Sequence, residues 1–139
     1  MSQAGQQEQA WVREQFQKAN RFMAEKGVMP GKVLDKQSRV LPPLIALWKM
    51  EEQGPRKRQY WVLSGDLPTD MVADSAAADP REAVRHFALS WQLKAENLLR
   101  SNDATQQKLA QLMISRAQSL SDLHREDRFW GVPSQQETV

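Results

Sequence analysis

The side chains best equipped for chemistry in this chain stand between Asp66 and His86. Asp66, Thr69 and Asp70 close the stretch YWVLSGDLPTD, and Arg81, Arg85 and His86 follow within DPREAVRHF. Two carboxylates beside an imidazole and two guanidinium groups can bind a small anion or carry out acid–base work. That requires the loop to fold back over the start of the helix bearing the cations. The same residues have a plainer reading, in which Asp66 and Asp70 make turn hydrogen bonds, Thr69 caps, and the cations line a solvated helix face. Neighbourhood in sequence does not choose between the two.

A second cluster, Arg56, Lys57 and Arg58, lies in QGPRKR ahead of Tyr60 and Trp61. Three charges at a hairpin tip would touch a polyanion, and aromatic rings beside them would stack on bases. Adjacent strand residues point to opposite faces, however, so Tyr60 and Trp61 cannot share one platform. With 19 basic and 17 acidic residues the net charge is only +2, and no basic stripe marks a nucleic-acid surface. Nucleic acid is therefore not the expected partner.

Several chemistries are absent from the sequence. It contains no cysteine, which removes thiol nucleophiles, disulfides and Cys-containing zinc patterns. His86 and His124 are the only histidines, they fall on different helices, and neither stands in a metal-binding spacing. No phosphate-binding or dinucleotide-binding glycine pattern, HExxH or GxSxG occurs. No metal and no cofactor is expected, and the balance leans away from an enzyme.

The elements that position these residues follow from periodicity. Trp11, Val12, Phe16, Ala19, Phe22 and Met23 form one helical stripe between Gln6 and Lys26, with Gly27 as its stop. Met29-Pro30-Gly31 breaks the chain, and the segment from Lys32 to Leu41 has the makings of a short edge strand. LIALWKMEE reads as helix by composition and as strand by its surroundings. Strand is favoured, because the turn in QGPRKR leads at once into the β-prone QYWVLS and the two runs close as a hairpin. Asp79-Pro80-Arg81-Glu82 then opens a helix, and Val84, Phe87, Ala88, Trp91, Ala95 and Leu98 give its stripe, which Leu89, Leu93 and Leu99 widen. After Ser101-Asn102-Asp103 a third helix carries Leu109, Leu112, Met113, Leu120 and Leu123, so the last two helices form a hairpin of their own.

The expected fold is thus α+β, in the order α-β-β-α-α: a small antiparallel sheet, built on a β-hairpin with an optional third strand, packed against three helices. At 139 residues, with 40% hydrophobic and 26% charged residues, the chain fits a single domain over 1–139, with 1–5 and 132–139 as mobile ends. The start MSQAGQQEQA lacks the features of a signal peptide, and the longest apolar run is far short of the ~20 residues of a membrane span, so the expectation is a cytoplasmic protein without a membrane partner.

YWVLSGDLPTD together with DPREAVRHFALSWQLKAENL resembles a small family of uncharacterised bacterial proteins, a domain of unknown function. The resemblance implies a bacterial cytoplasmic single-domain protein and transfers no catalytic or binding residue. The leading functional expectation is accordingly a non-enzymatic interaction or regulatory protein, binding itself as a homodimer or another protein, with Trp48 and Trp61 as candidate interface residues. The alternative is an enzyme or small-anion binder using Asp66, Asp70, Arg81, Arg85 and His86.

Overall fold

The computed structural model describes residues 3–131. The chain divides into two compact units, one ending at Pro80 and the other starting at Arg81. The expected mobile tail at 132–139, and the first two residues of the expected mobile start, lie outside the described residues; residues 3–5 are helical.

The first unit opens with helix α1 (Gln3–Glu25), whose stripe buries Gln15, Ala19 and Met23. Gly27 ends it in the left-handed region, at φ 82°. The amide of Gly27 donates to the Ala24 carbonyl at 3.0 Å and that of Val28 reaches back to the Met23 carbonyl at 2.9 Å. These two bonds satisfy carbonyls the helix leaves open, and Val28 packs into the same cluster as Met23.

Five strands follow: β1 (Pro30–Val33), β2 (Arg39–Leu41), β3 (Ile45–Glu52), β4 (Gln59–Gly65) and β5 (Asp70–Ala73). All pairings are antiparallel, in the order β1-β3-β4-β5, with β2 also on β3. The segment expected as one edge strand is two. β1 pairs with the Met50–Glu52 end of β3 and β2 with its Ile45–Leu47 end, and a 3-10 turn at Asp35–Gln37 separates them. LIALWKMEE is strand, and β3 and β4 pair in register from Ile45 with Gly65 to Glu51 with Gln59. The sequence reading missed β5, because its four residues sit between turn-forming aspartates and leave too short a run to show alternation.

Register sorts the sheet into two faces. Val33, Val40, Ala46, Trp48, Met50, Tyr60, Val62 and Met71 lie on the face that α1 covers, where they meet Ala19, Met23, Val12 and Phe16. Lys49, Trp61 and Val72 are cross-strand neighbours on the other face. Tyr60 and Trp61 do point opposite ways.

The second unit is helical. α2 (Pro80–Leu99) begins at the expected Pro80 with Glu82 in its first turn, and α3 (Ala104–Arg125) is capped by Asp103, whose side chain accepts from the Thr105 amide at 2.9 Å. Arg81, at the start of α2, donates to the His124 carbonyl at 2.9 Å and to Asp127 at 2.8 Å, which fixes the two helices as an antiparallel pair. A 3-10 turn at Asp127–Trp130 folds back, and the Trp130 indole donates to the Leu123 carbonyl at 2.9 Å. Two stripes differ from expectation. α3 buries Ala110, Ala117 and Leu120 while Leu109 and Leu112 are exposed, and on α2 the widening residues Leu89, Leu93 and Leu99 are exposed as well. The small alanines carry little weight in a hydrophobic pattern and yet define the buried line.

Gly65, at the end of β4, has φ 144°, and a Cβ there would stand 2.5 Å from the Leu44 carbonyl oxygen. Both the dihedral and the space require glycine. Gly65→Ala is expected to cost about 2 kcal/mol or more, read as a lowered urea midpoint with an unchanged slope.

Candidate functional site

The residues of the expected constellation fall in two compact units, and in each they have local surroundings of their own. In the first unit, Asp66 is exposed and its amide donates to the Leu44 carbonyl at 3.3 Å. Thr69 is half-buried ahead of β5, and Asp70 opens that strand with its carboxylate accepting from the Met71 amide at 2.8 Å. In the second unit, Arg81 is committed to His124 and Asp127, Arg85 lies 3.9 Å from Glu82 one turn earlier, and His86 meets Phe87 edge-on at 6.0 Å. Among the described residues no group of three or more His, Asp or Glu is placed to hold a metal ion, and no helix is long and apolar enough to cross a membrane.

At the β3–β4 turn Arg56, Lys57 and Arg58 are exposed, with Lys57 at φ 51°. Arg58 turns back toward Glu52, its guanidinium 3.7 Å from the carboxylate and its amide donating to the same oxygen at 3.3 Å. Arg56 and Lys57 thus remain as the outward pair. Trp61, expected at an interface, is buried. Its indole N–H donates to the Ala77 carbonyl at 3.1 Å, and the Lys49 ammonium sits 4.2 Å from its ring centroid. Lys49 is itself only 5% exposed, and its nearest carboxylate oxygen, on Asp74, is 3.8 Å away. The ring face supplies much of what holds this ammonium out of water.

A concavity lies under the N-terminal half of α1. It has a volume of about 400 Å³ and is lined by Glu8, Gln9, Val12, Arg13 and Phe16 from the helix, Val33 from β1, Asp35 from the following turn and Trp48 from β3. The apolar residues among these belong to the core cluster beneath α1. The groove exists because β1 stops at Val33 and the chain turns away at Asp35, so no continuous strand edge meets the helix at this level. A second hollow of about 340 Å³ flanks the helix on its other side, between Ala4, Gln7, Glu8 and Trp11 and the pair Pro42 and Pro43.

A buried polar chain fixes the floor of the groove. Trp48 is 5% exposed; its indole N–H donates to Ser64 Oγ at 3.2 Å, and Ser64 in turn donates to the Gln15 carbonyl of α1 at 3.4 Å. Phe16 meets the same indole edge-on, with ring centroids 5.2 Å apart. The Gln15 side chain is buried too, and its Oε1 has no hydrogen-bond partner among the described residues. Glu8, Arg13 and Asp35 are exposed at the rim, and among the described residues their side chains engage in no hydrogen bond or ion pair.

Sequence reasoning singled out Trp48 but not its neighbours in the groove. Val12 and Phe16 were legible as core, whereas the opening beside them depends on where an edge strand breaks. Removing the hydroxyl in Ser64→Ala leaves a buried indole N–H without an acceptor and is expected to cost about 1–3 kcal/mol. Gln15→Met removes the orphaned amide oxygen and is expected to hold or raise stability; chemical denaturation of both variants checks the pair.

A family model described as Domain of unknown function (DUF4826) matches residues 5–130. Neither a curated protein nor a solved structure matches the chain. The matched stretch takes in α1, the sheet, α2, α3 and the groove alike, and the chain belongs to the DUF4826 family.

Proposed function

We propose that this protein is a non-enzymatic binding protein whose recognition site is the groove beneath the N-terminal half of α1. The observation that carries the reading is the composition of that groove: an apolar floor of Val12, Phe16, Val33 and Trp48 under a rim of two carboxylates and one guanidinium. Its size falls within the roughly 300–1,000 Å³ of ligand pockets, and a few polar groups around an apolar floor is the usual makeup of such sites. Glu8 on the helix and Asp35 on the turn outweigh Arg13 in charge. The fitting occupant is therefore a segment of another protein that inserts an apolar side chain with a basic group beside it.

Two probes of equal apolar body and opposite charge test this. Phenethylamine and 3-phenylpropionate are titrated into the 15N-labelled full chain, with the amides of Val12, Phe16 and Val33 and the Trp48 indole followed by NMR. The amine is expected to shift these signals at lower concentration than the acid. Glu8→Gln with Asp35→Asn should weaken amine binding by roughly fivefold, the worth of two exposed charges. Val12→Arg, which fills the groove and adds a like charge, should abolish it. Shifts that survive Val12→Arg, or no preference for the amine, would sink the reading.

A further inference from the structure

The outer face of α2 carries an ordered stripe that the helix does not bury. Glu82, His86, Leu89, Leu93 and Glu96 on the helix, and Arg100 in the turn just past its end at Leu99, follow one another in alternating steps of four and three residues. That is the spacing of a coiled-coil seam, which keeps one line of side chains facing a partner helix. Leu89 and Leu93 at its centre are 47% and 64% exposed, while Val84, Phe87, Ala88, Trp91 and Ala95 occupy the buried side of the same helix. Isolated exposed leucines need no explanation; two in adjacent turns, flanked by charges in a fixed order, do.

The order of those charges selects the partner. Let a twofold axis cross the stripe midway between Leu89 and Leu93, with a second α2 running antiparallel. Leu89 then meets Leu93 of the second copy, His86 faces its Glu96, and Glu82 faces its Arg100. Each contact occurs twice, as a closed twofold interface requires. A parallel pairing would instead set Glu82 against Glu82 and Arg100 against Arg100. The outermost pair stands about 13 Å from the axis at the helical rise of about 1.5 Å per residue, within reach when the helices cross near 20°.

We propose that a second copy of this chain docks along this stripe, forming an antiparallel α2–α2 homodimer with Leu89 and Leu93 at its centre and Glu82 opposite Arg100. A seam of under three heptads buries less than the ~800 Å² per partner of a standard interface, so the dimer is a weak one. It is independent of the groove beneath α1, and either proposal can fail without the other.

Sedimentation equilibrium on the full chain, from micromolar to millimolar concentration, tests the proposal with four proteins. Wild type is expected to populate a dimer. Leu93→Glu, at an exposed position, should remain folded by circular dichroism and sediment as a monomer. Glu82→Arg places like charges together twice per dimer and should weaken association by roughly tenfold. Adding Arg100→Glu to it should restore association toward wild type. A wild type that stays monomeric at millimolar concentration, a dimer indifferent to Leu93→Glu, or a double variant no tighter than Glu82→Arg would each overturn the proposal.

Discussion

The first unit is organised around the burial of one tryptophan. An indole brought into a core takes its N–H with it, and that donor must find an acceptor there. Trp48 finds Ser64, two positions beyond its cross-strand neighbour Val62, and Ser64 passes the demand to a backbone carbonyl of α1 at Gln15. Since a mid-helix carbonyl already accepts one intrahelical bond, its second lone pair is what remains to offer. The helix is thereby held at a definite height over the sheet. Above that point α1 lies closely on the strands, and toward its N-terminus the gap opens into the groove.

β3 bears the heaviest constraint of the strands. From Ile45 to Met50 every residue is buried, on both faces, with β1 and β2 along one edge and β4 along the other. A strand in that position would be expected to read as continuous hydrophobic sequence. It does so except at Lys49, whose ammonium rests on the Trp61 ring and near Asp74. A long side chain of this kind contributes its aliphatic stem to packing while aromatic and carboxylate neighbours offset the charge.

Much of this architecture was legible in the sequence. The stripe of α1, its glycine stop, the β3–β4 hairpin and the start of α2 at Pro80 each combined a period with a terminating residue, and such coincidences of signals survive folding. What escaped was short or small: β5 in four residues, the split of the edge strand at Asp35, and the alanine line of α3. The candidate site was the least legible part. Asp66, Thr69 and Asp70 stand out because their residue types are chemical, and type alone does not say where a side chain is used: the Asp70 carboxylate accepts from the Met71 amide, while the Asp66 bond to Leu44 is made by its backbone. The groove is made by valine, phenylalanine and tryptophan, whose types announce only burial, and its opening depends on a break in pairing on another element, after Val33.

Gly31 and Gly65 pin the two ends of β3 from opposite edges, each pressed against backbone of β3 or of the residue just before it. A Cβ at Gly31 would meet the Glu51 carbonyl at 2.8 Å, and one at Gly65 the Leu44 carbonyl. Neither obstacle is a side chain that could swing aside. As family members diverge, exposed positions elsewhere are free to change, but these two positions answer to sterics alone. An alignment should show two columns of glycine bracketing a variable surface, the record of a scaffold that constrains its descendants through backbone clearance alone.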